Sequence, residues 1–427
     1  MKRMDWRLYL FTWLNLWKKS NEYIGKEIEK LKFKSNGLQG KDFLFPTIAA
    51  LVAVIVNFGG TFVIVFQAAN AAGLSPELTA SWVFSLSVGI GITGIFLSYK
   101  YKEPIITAWS TPASAFLVTA LVATSYEEAI GAYIITAIAF IILGMTGMFD
   151  RLIKYIPQGI AAGLLAGILL QFGVEAFGGA EVDPYLVILL FVAYLIFNRL
   201  IPRFAIVGIL MLGLLYLILF NKVDFGGIEL SFAMPVFTMP EFSLSSILGV
   251  ALPLFIVTLS GQYIPGMLIF RSDGFKTSAN PILTVTGIGS LVTAFFGAHA
   301  IVLSSITSAI CTGPDAHKDK SKRYLAGIIH GVFYVIIGIF GVTLVTLFMA
   351  LPATFVATLA GLALLGTIGS SLAEAMKAPM KREVALITFL ATAANVTLLG
   401  IGGAFWGFVA GMLAHVVMNF RAYKKAS

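Results

Sequence analysis

The sequence predicts an all-α polytopic membrane protein of fourteen spans, arranged as two inverted repeats of seven with short β-strands and half-helices in spans 3 and 10. Three observations carry that prediction: the composition, the placement of the basic residues, and one interrupted segment that occurs twice. Of 427 residues, 58% are hydrophobic and 12% charged, with 42 glycines, a balance that soluble domains of this size do not have. A hydropathy window of about 20 residues finds apolar stretches at 43–68, 78–98, 105–124, 127–149, 157–177, 183–198, 204–221, 245–270, 279–297, 299–312, 324–350, 353–374, 383–400 and 403–420.

With the N-terminus inside, every Lys and Arg except Lys222 falls in the N-terminal segment, in an even-numbered connection or in the C-terminal tail. Cationic loops resist translocation, so this asymmetry fixes the parity of the span count and puts both termini in the cytoplasm, with the chain multi-pass in the cell membrane. The net charge of +8 is therefore a topology signal, not the footprint of nucleic acid.

The interrupted segment is AWSTPASAF, Ala108–Phe116, echoed by LSSITSAI, Leu303–Ile310. In each, a few strand-like residues run into a hydroxyl pair and then into apolar helix, with the shared register S-[ST]-x-x-S-A. A Ser or Thr at the N-cap and Pro112 at the first helical position mark a helix start. Lipid offers no partner to bare peptide groups, so a helix can begin at mid-depth only where protein or a watery cavity surrounds it. Helix N-termini present unpaired N–H donors and partial positive charge, so two of them meeting at mid-depth form an anion site.

Along the chain, residues 1–42 mix Trp6, Trp13 and Trp17 with many lysines and read as an interfacial amphipathic helix followed by a basic stretch. They lack the clean apolar centre and cleavage site of a secretory signal. Residues 43–222 form the first seven-span repeat, 223–242 an exterior loop, 243–420 the second repeat and 421–427 a cytoplasmic tail. An odd number of spans per repeat forces the halves into opposite orientations, and the echo falls in the third span of each, the signature of secondary transporters with a midplane site. Span one carries Asn57, Gln67 and the Gly59–Gly60 pair, which suits close approach of a helix or a ligand. Span five has small residues at four-residue spacing, which suits helix contact, and Glu175 closes it near the outer surface. In span eight, LSGQYIPGM (Leu259–Met267) breaks an apolar helix with Gln262, Tyr263, Pro265 and Gly266. His330 and His415 lie within spans, with His299 and Glu374 near span ends. An ionisable group inside a bilayer is costly and is a functional candidate by default, and His330 is the proton-coupling candidate. The small residues of span twelve suit helix packing or a homodimer contact.

The one cysteine excludes a disulfide framework, and four scattered histidines make a metal cluster a poor reading. No nucleophile elbow, Walker loop, HExxH or dinucleotide fingerprint is present, so neither an enzyme nor a cofactor is expected. A pore remains the rival class, but repeat-related half-helices fit alternating access better. Hydroxyls and helix ends suit one negative charge, and Phe58, Phe66, Phe116 and Tyr263 can cover a flat apolar body. The residues thus point to a small, monoanionic, partly apolar solute.

VFQAANAAG, ITAWSTPASA, LPLFIVTLSGQYIPG, ITSAICTGPDAH, LAGLALLGTIGSSL and TLLGIGGAFWGFVAG together resemble the benzoate:proton symporter (BenE-type) family over residues 43–420. That family is similar in fold to the uracil permease and SulP anion transporters. The resemblance implies a core domain of spans one to four and eight to eleven moving against a gate domain of spans five to seven and twelve to fourteen. It implies substrate contacts at Ser110, Thr111, Gln262, Ser304 and Ser305, and import of benzoate or a similar aromatic carboxylate with a proton. Uracil permeases resemble this pattern but carry glutamates in spans eight and ten, where this chain has Gln262 and a serine. Losing both acids favours an anionic ligand and leaves the proton to the carboxylic acid itself or to His330. Another anion transporter of the same fold, for a dicarboxylate or an inorganic anion, and an anion channel are the alternatives.

Overall fold

The computed structural model describes residues 40–149, 151, 157–224, 226, 229–314, 316–378, 382–399, 401 and 403–423. Packing divides the chain into Met1–Leu44 and Phe45–Ser427. Of the first, the described part is the beginning of one helix, and the expected amphipathic segment over 1–42 otherwise lies outside the described residues. Everything below concerns the second.

Helix α1 (Lys41–Gly60) is followed by α2 (Phe62–Ala71), with the interruption at Thr61. Helix α3 (Pro76–Tyr101) starts at Ser75, whose Oγ accepts from the Leu78 amide at 3.3 Å, with Pro76 in the first turn. Strand β1 (Thr107–Trp109) runs into α4 (Thr111–Ala120). Helix α5 (Tyr126–Thr146) is capped by Ser125 and ends at Gly147, φ 67°. Helices α6 (Gln158–Gly178), α7 (Pro184–Leu200) and α8 (Ala205–Leu219) complete the first half. Asp183 caps α7, and Lys222 beyond α8 bonds its carboxylate at 2.5 Å, tying that hairpin together.

In the second half, α9 (Leu244–Ser272) contains two π-wound stretches, Ile247–Ala251 and Leu259–Tyr263. Helix α10 (Ala279–Ala294) leads to β2 (Ile301–Leu303) and α11 (Ile306–Thr312). The remaining helices are α12 (Tyr324–Ile339), α13 (Gly341–Met349), α14 (Ala353–Ala375), α15 (Arg382–Ala393) and α16 (Gly403–Tyr423). Among the described residues, seven helices are long and apolar enough to cross a membrane, and shorter apolar helices lie between them. Two stretches expected as single spans are interrupted, at Thr61 and at Phe340. Glycines crowd both points, Gly59 and Gly60 before the first and Gly338 and Gly341 around the second, where helix propensity is lowest.

Helix α3 packs on α12, α13 and α10, and α5 packs on α10; separately, α6 packs on α14, α15 and α16. Small residues set these distances. A Cβ on Gly163 would lie 2.6 Å from the Ala385 carbonyl and one on Gly167 2.7 Å from that of Phe389, so the four-residue spacing in span five serves helix contact. Gly59 and Gly60 likewise face Val207 and Ile206 of α8. In span twelve Gly361 packs on the Phe172 carbonyl, while Gly366 and Gly369 look onto open space. The long connection after α8 is strapped across helix ends: Ala233 donates to the Ile339 carbonyl, Thr238 to Phe295 and Glu241 to Glu127, at 2.8, 2.8 and 2.9 Å.

The two strands pair antiparallel, Thr107 with Leu303, Ala108 with Val302 and Trp109 with Ile301, and all six residues are buried. A helix serine that both donates to and accepts from an isoleucine fastens the chain at each strand: Ser98 of α3 holds Ile105, two residues before β1, and Ser290 of α10 holds Ile301, the first residue of β2. This answers how bare strand peptides survive in an apolar core, since every buried backbone group needs a partner.

Candidate functional site

Both chain breaks lead to one cavity of about 590 Å³, within the roughly 300–1,000 Å³ usual for small-molecule sites. Thr61, Thr111, Gln262 and Ser305 line its buried end. The other end reaches the Glu374–Lys377 pair, 3.1 Å apart, whose side chains are 40% and 72% exposed. Between them the wall is apolar and comes from two helices, with Ala161, Ala162, Leu165 and Leu169 on α6 and Ala363 and Leu364 on α14.

Gln262 holds the two breaks together. Its Nε2 donates to the Trp109 carbonyl, the last residue of β1, at 3.2 Å, and its Oε1 accepts from the Ser305 hydroxyl at 2.6 Å. The π-wound Leu259–Tyr263 carries it; such bulges shift helix register by one residue and recur at functional sites. Gly261 beside it lets α9 approach α4, for a Cβ there would lie 2.8 Å from Cγ of Pro112. The amide is 5% exposed, so both its bonds are made where an unpaired polar group is expensive.

The first turn of α4 is largely self-satisfied. The Ala113 amide bonds Oγ of Ser110 at 3.3 Å, the Ser114 amide bonds the Ser110 carbonyl at 2.8 Å, and Pro112 has no N–H. That leaves Thr111, amide and hydroxyl, as the group this turn offers the cavity. Ser110 is fully buried as the cap, so Ser110→Ala is expected to cost about 1 kcal/mol of stability, read as a lower thermal unfolding midpoint, without removing a cavity-lining atom. At the second break the Ser304 hydroxyl is paired with Thr307 at 2.6 Å, and Ser305 is the one that faces the cavity. Helix α11 has only seven residues, so this break contributes through a hydroxyl more than through a dipole.

Of the site residues read from the sequence, the structure thus brings Thr111, Gln262 and Ser305 together around the cavity and sets Ser110 and Ser304 behind them. Tyr263 points away: its hydroxyl lies 2.6 Å from Oγ1 of Thr286, inside the α9–α10 packing. Phe58 packs tilted against Phe62 and Tyr334 and edge-on to Trp109 in an aromatic layer behind Thr61, at centroid distances of 5.3, 5.3 and 5.0 Å. His330 lies in that layer too, its ring 4.6 Å from that of Tyr334, buried and with no hydrogen-bond partner on either ring nitrogen. Thr61, Gln158 and the Glu374–Lys377 mouth were not read as site residues from the sequence; Thr61 had a signal in its place next to the Gly59–Gly60 pair, and Glu374 in its ionisable group near a span end.

A second cavity of about 440 Å³ lies at the other end of α4, lined by Phe116, Thr119, Thr124, Glu175 and Asn395 among others. Helices α4 and α6 each run from one cavity to the other, Thr111 to Ala120 and Leu169 to Glu175, and Phe172, 2% exposed, fills the space between on α6. Among the described residues no group of His, Cys, Asp and Glu is placed to hold a metal ion.

The family model described as "Benzoate membrane transport protein" matches residues 42–417. A benzoate membrane transport protein of Acinetobacter baylyi is 45% identical over 375 residues, 88% of this chain and 95% of the relative. The inner membrane protein YdcO of Escherichia coli is 38% identical over 378 residues, 88% and 97% of the two chains. Among solved structures, the murine Solute Carrier 26 family member A9 anion transporter in the inward-facing state superposes with TM-score 0.58 at 14% identity, covering 90% of this chain and 70% of that one. The transmembrane domain of the cyanobacterial bicarbonate transporter BicA gives 0.57 at 15% identity, covering 89% and 98%. These two likenesses establish the fold.

Proposed function

The chain belongs to the family of benzoate membrane transport proteins, whose role is transport rather than catalysis, and from that membership we propose that it imports benzoate or a similar aromatic carboxylate with a proton by alternating access. The observation that carries the reading is the cavity in which two chain breaks and one glutamine converge. Its buried end offers a carboxylate the Thr111 amide and hydroxyl and the second N–H of Gln262, whose Oε1 is held by the Ser305 hydroxyl, and the alanines and leucines of α6 and α14 offer an apolar slot to a flat ring. Hydrogen bonds to a charged acceptor are the stronger kind, so a few neutral donors suffice for one negative charge.

Fourteen spans in two inverted sevens fit the packing. The offset that carries Ser110 onto Ser304 also carries the β1–β2 ladder onto itself, with Ala108 and Val302 at its centre. A hydroxyl four residues on donates back to a backbone carbonyl in both breaks, Ser114 to Ser110 and Ser308 to Ser304. Shifting every span by seven exchanges the α3–α12 contact with the α10–α5 contact. The two packing sets correspond to the core and gate domains that the resemblance implies. With the basic connections in the cytoplasm, the cavity that ends at Lys377 opens inward and the one at Glu175 outward, with α4 and α6 as the partition. His330, one aromatic layer behind Thr61, is the candidate carrier of the coupled proton.

Uptake of radiolabelled benzoate into proteoliposomes under an imposed inward proton gradient tests the reading. Accumulation above equilibrium that an uncoupler collapses is the expected result. Flux that only dissipates a benzoate gradient indicates a channel, and bicarbonate or dicarboxylate uptake without benzoate uptake indicates another anion transporter of this fold. His330→Leu is expected to leave benzoate exchange between equilibrated compartments intact and to lower proton-driven accumulation about tenfold or more; undiminished accumulation contradicts that role.

A further inference from the structure

We propose that His299 is a positioning residue of the substrate site: it clamps the head of α4 to the second half of the chain and so holds Thr111 at the cavity. The inference rests on the reading of that cavity as the substrate site.

His299 sits in the turn between α10 and β2 and is 1% exposed. It lies there because Gly297, φ 106°, turns the chain hard against α3 and α5; a Cβ at that position would stand 3.1 Å from Cβ of Trp82 and closer still to the Tyr126 hydroxyl. The imidazole makes one hydrogen bond through each nitrogen. Nε1–H of Trp82 donates to Nδ1 at 3.2 Å, and Nε2 lies 2.9 Å from Oγ of Ser114. Indole N–H is a donor only, so Nδ1 is the acceptor and the neutral ring carries its proton on Nε2. Ser114 therefore accepts from His299 and uses its own proton on the Ser110 carbonyl, 3.0 Å away.

The result is a directed chain, Trp82 to His299 to Ser114 to the Ser110 carbonyl, that fixes the first turn of α4 from the side opposite the cavity. The phenols of Tyr133 and Tyr126 face this turn, with ring or close contacts to it, and among the described residues no charged side chain hydrogen-bonds His299. At the second break the hydroxyl device is present, Ser308 on the Ser304 carbonyl, but the position corresponding to His299 is Ile105. The clamp therefore belongs to one break only, the one whose helix is long enough to present an N-terminus.

In proteoliposomes of the full chain, His299→Ala is expected to raise KM for benzoate about tenfold with Vmax changed less than about twofold. His299→Gln, which retains an N–H donor for Ser114, is expected to bring KM back to within about threefold of the parent with an unchanged pH profile. Trp82→Phe, which removes only the donor to Nδ1, supplies a second test that keeps the imidazole and is expected to raise KM about threefold. Hydrogen exchange of a peptide spanning residues 110–117 gives a readout independent of substrate: faster exchange in His299→Ala than in His299→Gln. An unchanged KM in His299→Ala and Trp82→Phe, or no rescue by Gln, overturns the proposal. Loss of proton-driven accumulation in His299→Gln also overturns it, because that marks a proton carrier. If the parent protein takes up no benzoate, the functional reading fails while the exchange comparison still decides the clamp.

Discussion

Gln262→Leu is expected to lower Vmax/KM for benzoate by about 100-fold or more while the protein still inserts and purifies. Leucine fills nearly the same volume but breaks both bonds at once, leaving the Trp109 carbonyl and the Ser305 hydroxyl unpaired at the buried end of the cavity. Each such loss costs about 1–3 kcal/mol, and the two act on the same place, the junction of the breaks that the substrate must use. Gln262→Glu separates geometry from charge: a carboxylate can still accept from Ser305 but offers no donor to Trp109 and repels an anionic ligand, so it is expected to be as inactive as Leu. Uptake kinetics on both variants, with binding of labelled benzoate, check this. Parent-like transport by either variant would remove Gln262 from the site.

Gly261→Leu is the second large effect. A side chain there meets Pro112 at the head of α4, 2.8 Å from Cγ, and Leu165 of α6 at 3.3 Å. Overpacking a filled contact costs about 1–3 kcal/mol, and the strain falls where α9 must hold both breaks and where α6 walls the cavity. Transport is expected to fall about 100-fold, because displacements near 1 Å at a site cost that much. Gly261→Ala should fall between the two. Uptake and thermal unfolding measured together are informative: a variant that unfolds early and transports poorly reports general damage, whereas near-parent stability with lost transport reports the wedge. Full transport by Gly261→Leu would contradict the close approach of α9 to α4.

Much of this was legible in the chain itself. The S-[ST]-x-x-S-A echo located both breaks, which the structure shows as strand followed by helix with the two strands paired. An irregularity in span eight was legible from LSGQYIPGM, although the helix runs on through Pro265 and Gly266 and departs from α winding just before them, at Leu259–Tyr263. Which way its side chains point was not, because the π-wound Leu259–Tyr263 rotates the helix face locally, so that Gln262 meets the cavity while the neighbouring Tyr263 enters the packing against α10. The hydroxyl pairs were equally ambiguous. Ser110 and Thr111 are both short and polar, and only the cap geometry shows that the first is consumed by the backbone and the second is free to face a ligand. His299 carried a signal, a titratable group two residues before the buried strand β2, but nothing in one sequence shows that Trp82 and Ser114 lie on either side of it.

The central claim is that the carboxylate sits where the two breaks meet, and a structure of the protein with 4-iodobenzoate bound tests it most directly. The account predicts the carboxylate within hydrogen-bond reach of Thr111, Gln262 and Ser305, and the iodine, located by its anomalous signal, between α6 and α14 near Leu165 and Leu364. An iodine peak outside that cavity, or a ligand whose carboxylate points to the Glu374–Lys377 mouth instead of the breaks, would contradict it.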